Sequence, residues 1–159
     1  MKIAIASDHG GYELKEYLKE YLTFEKAVCS EGYCHPIELI DLGTYSEESV
    51  DYPEYGEKCA LMVAKGEVDR GIVVCGTGIG ISIAANKVNG IRCALCTDEH
   101  MAEMTRKHND SNMLALGGRT TSKEMATKII KAWIATEFEG GRHQKRIDLI
   151  SKIEMNNKK

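Results

Sequence analysis

Short apolar runs alternate with amphipathic helical patterns along almost the whole chain, and this alternation limits the possible folds more than any other feature. The apolar runs are KIAIAS (2–7), IELIDLG (37–43), GIVVC (71–75), IRCALC (91–96) and NMLALG (112–117). The helical patterns lie around 11–22, 54–66, 79–88, 98–107 and 121–137. Because strands that alternate with helices form parallel sheets covered on both faces, the pattern predicts an α/β fold. We expect a three-layer αβα, Rossmann-like domain with a five-stranded parallel sheet.

The length and the terminal segment bear on domain organisation. With 159 residues and 43% hydrophobic content, the chain can bury one substantial core, and it contains no linker or repeat, so we expect a single domain over 1–159. The last segment, RHQKRIDLISKIE (142–154), carries a partly apolar stripe that includes Ile147, Ile150 and Ile153. We expect a terminal helix that packs on the body of the domain or on a partner subunit.

Charge and hydropathy exclude several classes of protein. The formal net charge of -3 and a pI near 6.0 provide no electrostatic reason to bind nucleic acid. No stretch approaches the roughly 18 apolar residues of a membrane span. The opening MKIAIASDHGG lacks the longer apolar region and cleavage site of a signal peptide. We therefore expect a cytoplasmic protein that binds neither nucleic acid nor membrane.

Six cysteines raise the question of disulfides and metals, and both are expected to be absent. A chain of this size has its own core, so a reducing compartment would keep Cys29, Cys34, Cys59, Cys75, Cys93 and Cys96 as thiols. Residues three apart on a strand point to opposite faces, so the CxxC of Cys93 and Cys96 cannot easily share a metal. Cys29 and Cys34 have only His35 nearby as a further ligand, too few for a zinc site.

The stretch VVCGTGIGIS (73–82) combines a strand end, one cysteine and a glycine-rich turn. In parallel sheets, ligands bind outside the carboxyl ends of the strands, where Asp8 and His9, residues 75–80, 97–100 and 117–119 are expected. The glycine pattern does not match a dinucleotide fingerprint. A turn of this kind before a helix favours negative charge and a thiolate at Cys75. On position alone, a packing residue of the core is the more ordinary interpretation of Cys75.

Five motifs occur together and in order: SDHGG, DYPEYG, CGTGIGISIAANKVNGIRCALC, RKHNDSNMLALGGR and EGGRHQKR. As a set, they resemble the ribose 5-phosphate isomerase B family, which also includes galactose 6-phosphate isomerase subunits. The resemblance extends nearly end to end. One departure is FEKAVCSEGYCHPIE (24–38), which is longer than the usual connection and adds two cysteines. It affects none of the matched motifs.

The resemblance implies an enzyme without metal or organic cofactor that interconverts ribose 5-phosphate and ribulose 5-phosphate in the non-oxidative pentose phosphate pathway. It assigns ring opening to His108 as acid with Asp8 nearby, and proton transfer between C2 and C1 to Cys75 as base. A cis-enediolate would then lie over the backbone N–H groups of Gly76, Gly78, Ile79 and Gly80, with the Thr77 hydroxyl beside the substrate oxygens.

The resemblance also implies how the rest of the substrate is held. Asn109 would orient a sugar hydroxyl, and the phosphate would be bound by Arg142 and Arg146, which are four residues apart on one helix, together with His9 and Arg119. The terminal helix would cross to a partner in a homodimer with composite active sites, alone or within a tetramer.

Three alternatives stay open. The substrate could be a six-carbon sugar phosphate, allose 6-phosphate or galactose 6-phosphate. The chain could also be a non-catalytic sugar-phosphate binding protein or a nucleotide-binding module. The joint presence of Cys75, Asp8 and His108 favours an enzyme, because a binding protein needs no acid or base.

Overall fold

Seven strands and six α-helices make up the secondary structure of the computed structural model, which describes residues 1–25, 27–30 and 33–157. The strands are β1 (Lys2–Ser7), β2 (Ala27–Ser30), β3 (Tyr33–Pro36), β4 (Glu38–Asp41), β5 (Arg70–Cys75), β6 (Cys93–Leu95) and β7 (Met113–Gly117). The helices are α1 (Tyr12–Glu25), α2 (Tyr52–Ala64), α3 (Ile79–Ala85), α4 (Glu99–Asn109), α5 (Lys123–Ala135) and α6 (Arg142–Asn156). A 3-10 turn, His9–Gly11, follows β1.

Five of the strands form one parallel sheet in the order β4-β1-β5-β7-β6. All neighbours are parallel; Ile5 pairs with Ile72 in β5, and Val73 of β5 pairs with Ala115 in β7. The predicted five-stranded parallel sheet is therefore confirmed. Because every strand runs the same way, the sheet has a carboxyl edge, where the strands end, and an amino edge, where they begin.

The core consists of two layers, one on each face of the sheet, because successive side chains of a strand point to opposite faces. Ile5, Val74 and Leu116 pack on one face against α1, α4 and α5, with Trp133 fully buried among them. On the other face, Ala4, Val73 and Ala115 pack against α2 and α3. This arrangement confirms the three-layer αβα fold.

The segment between α1 and β4 contains two short strands, β2 and β3. β2 and β3 pair antiparallel as a separate two-stranded sheet. Val28 and Tyr33 belong to the residue types that favour strands, which is consistent with the hairpin. The side chains of Cys29, Cys34 and His35 lie outside what the structure describes, so their predicted thiol and metal-free states stay predictions. Cys59, Cys75, Cys93 and Cys96 are free thiols.

Helix α6 lies along the amino edge of the sheet. Just before it, Glu139 donates its N–H to the carbonyl of Lys107 at 3.2 Å. Near its end, the Glu154 carboxylate accepts from Gly90 N at 3.1 Å. Lys107 precedes β7 and Gly90 precedes β6, so both contacts lie where strands begin. Among the described residues, no helix has both the length and the apolar character needed to cross a bilayer.

Candidate active site

The carboxyl ends of β1, β5 and β7 bring three loops together. Gly118 donates to the Cys75 carbonyl at 2.7 Å, and Arg119 N–H donates to the Gly76 carbonyl at 2.9 Å. A Cβ added at Gly10 would lie 3.1 Å from Gly76 N and 3.4 Å from Asp8 Oδ1. The loops therefore pack backbone against backbone. We call Asp8, His9, Cys75, Thr77 and Arg119, with the turn at 76–80, the carboxyl-edge cluster.

Cys75 is held at the centre of this cluster by its own turn. Its Sγ accepts from Gly78 N at 3.2 Å, and only 4% of the residue is exposed. Gly78 has a φ of +78°, and a Cβ there would lie 2.6 Å from Leu95 Cδ1. Only glycine satisfies both conditions. The Gly78 N–H is therefore directed at the Cys75 sulfur and holds the side chain within the turn.

Two N–H groups of the turn at 76–80 already have partners within the turn. The Thr77 side chain is exposed, and its Oγ1 accepts from Ile79 N at 3.4 Å. Gly80 packs under the Tyr52 ring, where a Cβ would lie 2.6 Å from the ring carbon Cζ. An enediolate oxygen would have to compete for the N–H groups of Gly78 and Ile79, which already donate to Cys75 Sγ and Thr77 Oγ1. Tyr52 was not predicted from the sequence as a site residue, although it lies in the motif DYPEYG.

One acidic and two basic side chains lie around the turn: Asp8, His9 and Arg119. Asp8 is buried and accepts from Gly11 N at 3.0 Å. His9 Nδ1 lies 3.2 Å from Val50 N, and in the tautomer that accepts this bond, Nε2 carries a proton and is a donor. Arg119 is exposed, and its Nη1 would lie 3.5 Å from a Cβ at Gly76. Arg119 can therefore reach an anion bound over the turn.

A second group of residues, most of them predicted from the sequence, lies where α4 ends and α6 begins. The rings of His108 and His143 are stacked, with centroids 4.2 Å apart and planes 8° from parallel. Arg142 Nε donates to His143 Nε2, and Arg146 Nη1 lies near His143 Nδ1, each at 3.4 Å. Asn109, Arg142 and Arg146 are exposed. We call His108, Asn109, Arg142, His143 and Arg146 the amino-edge cluster.

The two clusters lie at opposite edges of the sheet. Helix α4 begins after β6 at the carboxyl edge and has 11 residues, so it returns about 16 Å to the amino edge. There the Asn109 carbonyl accepts from Arg92 Nε, just before β6, at 2.8 Å. The five residues of β7, about 16 Å of strand, separate this point from Gly117, which pairs with Cys75. One chain therefore does not place His108 and Asn109 in one cleft with Cys75.

The amino-edge cluster suits an anion better than a metal. Within the described residues, a group that could hold a metal consists of His108, Glu139 and His143, with ligand atoms within 4.8 Å of one another. A ring nitrogen binds a metal through a lone pair in the ring plane, and two nearly parallel rings 4.2 Å apart cannot aim both lone pairs at one ion. The guanidinium groups of Arg142 and Arg146 add positive charge beside it. His143 was not predicted from the sequence as a site residue, although it lies in the motif EGGRHQKR, because its burial depends on tertiary packing.

The sequence model of the family described as "Ribose/Galactose Isomerase" matches residues 3–150 of this chain. The chain belongs to the ribose/galactose isomerase family. Ribose-5-phosphate isomerase B of Escherichia coli is 48% identical over 96% of both chains. A putative sugar phosphate isomerase of Bacillus subtilis is 51% identical over 99% of both. The resemblance found in the sequence motifs is confirmed.

Solved structures of ribose/galactose isomerase relatives share the fold closely. Ribose-5-phosphate isomerase B of Clostridium thermocellum superposes with a TM-score of 0.90 at 52% identity, covering 98% of this chain and 99% of that one. The Mycoplasma genitalium enzyme, with bound ribulose-5-phosphate, has a TM-score of 0.88 at 37% identity, covering 98% and 97%. Within the family fold, the roles of individual residues in this chain stay predictions.

Proposed function

We propose that this chain interconverts ribose 5-phosphate and ribulose 5-phosphate, as a ribose-5-phosphate isomerase. The observation that carries the proposal is a thiol at the end of a central strand, with its sulfur on a backbone N–H and Asp8 beside it, in a chain whose relatives are named for this reaction. The free thiols of Cys59, Cys75, Cys93 and Cys96 suit a reducing compartment, so we assign the protein to the cytoplasm.

The proposed active site is composite: the carboxyl-edge cluster of one protomer faces the amino-edge cluster of its partner. Two observations support this assembly. The clusters lie at opposite edges of the sheet in one chain, and α6 exposes an apolar surface of Leu149, Ile150 and Ile153, which are 50%, 41% and 61% exposed. Burying such a surface favours association. A homodimer, alone or within a tetramer, would complete two sites at once.

Ring opening is the first chemical step of the proposed mechanism. A protonated His108 donates its proton to the ring oxygen, while Asp8, anchored by Gly11 N–H, accepts the proton of the C1 hydroxyl. The C1–O bond of the ring breaks, and an aldehyde forms at C1. An imidazole suits this step because its ordinary pKa lies near neutral pH.

Proton transfer between two carbons is the second step. The Cys75 thiolate removes the proton from C2, which leaves a cis-enediolate whose negative oxygen lies over the turn at 76–80. The same thiol then returns a proton to C1, and the Thr77 hydroxyl relays the O2 proton to O1. Each well-placed backbone donor to such an oxyanion contributes about 3 kcal/mol to transition-state stabilisation.

The phosphate is held by cations from both clusters. Arg142 and Arg146 lie one helical turn apart and reach the same anion, while His9 and Arg119 approach from the carboxyl edge. Arginine suits this task because its planar guanidinium donates two parallel hydrogen bonds to phosphate oxygens. Asn109 contributes an exposed amide beside the sugar hydroxyls.

Steady-state rates on different sugar phosphates test the proposed substrate. We expect kcat/KM for ribose 5-phosphate to exceed that for allose 6-phosphate and galactose 6-phosphate by at least about tenfold, because a further carbon must fit between fixed ends of the site. Since the family name includes galactose, a six-carbon sugar phosphate is the second candidate. Higher kcat/KM on either six-carbon substrate would replace the proposal with that candidate.

The role of His108 can be separated from that of Cys75 by isotope exchange. Ribulose 5-phosphate cannot close a furanose ring, because its C5 oxygen carries the phosphate, so exchange of its C1 proton with D2O needs the base but not ring opening. We expect His108→Asn to slow net turnover of ribose 5-phosphate by about 10²-fold and to retain most of this exchange, measured by proton NMR. Cys75→Ala is the matched control and should lose both. Equal loss of turnover and exchange in His108→Asn would remove His108 from ring opening.

A further inference from the structure

We propose that His143 is a positioning residue that holds the ring-opening acid and the two phosphate-binding arginines in one array. The inference rests on the proposed function of His108, Arg142 and Arg146, and it concerns a residue to which the mechanism gives no task. His143 is only 4% exposed, so its ring does not reach a substrate. Its contacts nevertheless include all three of those side chains.

The first contact orients the ring of His108, the proposed acid. The His108 ring lies flat on the His143 ring, at 4.2 Å between centroids and 8° between planes. His143 is buried on α6, whereas His108 is half-buried at the end of α4. A buried flat surface restricts the rotation of a more exposed ring packed on it. The direction in which His108 presents its proton therefore depends on His143.

The second set of contacts lies between the arginines and the same ring. Arg142 Nε is a donor only, so its 3.4 Å contact with His143 Nε2 requires a lone pair on that nitrogen. In a neutral ring the proton is then on Nδ1, so Arg146 Nη1, at 3.4 Å from Nδ1, packs against the ring without donating to it. A protonated ring would have no lone pair and would place a further positive charge between two guanidinium groups. The array therefore requires a neutral His143.

The electrostatic surroundings keep His143 neutral. Burial lowers its pKa below the ordinary value, and the nearby charges of His108, Arg142 and Arg146 lower it further. The facing groups are His108 from α4, the two arginines from α6 itself and Glu139 from the preceding loop. Glu139 Oε2, at 3.7 Å from Nε2, acts in the opposite direction. Together these groups lower the pKa of His143 and so favour its neutral form.

Two substitutions of His143 test its stacking surface and its acceptor nitrogen separately. His143→Phe keeps a ring under His108 and removes the acceptor, so we expect KM for ribose 5-phosphate to rise about tenfold with kcat changed less than about threefold. His143→Gln removes the ring and keeps an acceptor oxygen that reaches the position of Nε2. We expect kcat on ribose 5-phosphate to fall about tenfold, with little change in KM or in C1 exchange of ribulose 5-phosphate. Gln144→Ala, an exposed neighbour on α6, is the matched control and should change neither parameter.

A double substitution distinguishes positioning of His108 from a general effect on folding, because only positioning makes the loss of kcat depend on His108. In a His108→Asn background, His143→Gln should cause no further loss of kcat, because the side chain that His143 positions is already absent. Losses that multiply would overturn the inference. So would the absence of the KM-against-kcat split, whether both variants behave like wild type or lose both parameters equally.

A measurement without turnover keeps this test separate from that of the proposed function. The affinity of the intact protein for inorganic phosphate, measured by calorimetry, should fall about tenfold in His143→Phe and stay near wild type in His143→Gln. In NMR spectra, the ring-current shift of the His108 Cε1 proton should persist in His143→Phe and disappear in His143→Gln. If the wild-type chain does not isomerise ribose 5-phosphate, the proposed function fails. The phosphate affinities and the His108 shifts still show whether His143 holds His108 and the arginines in place. Unchanged phosphate affinity and an unchanged His108 shift in both variants would refute the inference.

Discussion

Replacement of Cys75 by alanine is expected to reduce turnover of ribose 5-phosphate by about 10³-fold or more. The reason is that the proposed base acts in both halves of the proton transfer, and a positioned base contributes about 10²–10⁴-fold. Binding should persist, because the phosphate is held by His9, Arg119 and the arginines of α6. The measurement is kcat by steady-state kinetics, together with the Kd of ribulose 5-phosphate by calorimetry. Turnover near the wild-type rate would remove Cys75 from the mechanism.

Matched controls exist within the same sheet. Cys93, at the start of β6, and Cys96, just after β6, are free thiols whose pKa values are raised by burial, that of Cys96 to about 12. Neither has the Gly78 N–H contact that characterises Cys75. Cys93→Ala and Cys96→Ala should therefore keep kcat within about threefold of wild type. Cys75→Ser should be nearly as inactive as Cys75→Ala, because a serine hydroxyl is a far weaker acid than a thiol.

The sheet could be predicted from the sequence because its strands are buried on both faces. KIAIAS and GIVVC read as continuous apolar runs, which is typical of central parallel strands. The helix limits are less well predicted: the pattern around 79–88 ends at Ala85 in α3, and the one around 54–66 begins at Tyr52 in α2. Helix ends depend on local caps and loops rather than on periodicity.

The position of the carboxyl-edge cluster could be predicted from the sheet topology alone. Predicting the position of the amino-edge cluster also requires the direction of helix α4. Residues just after parallel strands meet at one edge, which places Asp8 beside Cys75 without any coordinates. A helix between two parallel strands runs back, so its last residues, His108 and Asn109, must lie at the other edge. The direction of α4 therefore separates these two residues from Cys75 within one chain.

Two buried polar side chains could not have been predicted from local sequence. Lys15 on α1 is fully buried, with Nζ 3.0 Å from Asp41 Oδ1 and 5.4 Å from the centre of the Tyr45 ring. A lysine in a helical pattern ordinarily points to solvent. His143 likewise reads as part of a basic helix face, and only packing against His108 shows that it is buried. Such residues depend on contacts between segments distant in sequence.

The central claim is that each active site takes its base from one chain and its phosphate arginines from the other, and mixed dimers test it. Homodimers of Cys75→Ala and of Arg142→Ala should each be nearly inactive. In a dimer containing one chain of each kind, one site has both residues intact and the other has lost both, because each interface contact occurs twice. Random exchange makes about half the dimers mixed, each with one working site, so activity should recover to about a quarter of wild type.

The measurement is kcat per active-site equivalent after unfolding, mixing in equal amounts and refolding, with subunit exchange verified by native mass spectrometry. A mixture of Cys75→Ala with Asp8→Asn is the matched control: both residues lie in the carboxyl-edge cluster of one chain, so every site lacks one of them and no activity should return. Recovery to about a quarter of wild type with Arg142→Ala, and none with Asp8→Asn, is the predicted result. No recovery with Arg142→Ala after verified exchange would place Arg142 in its own chain's site or outside any site, and would contradict the composite active site.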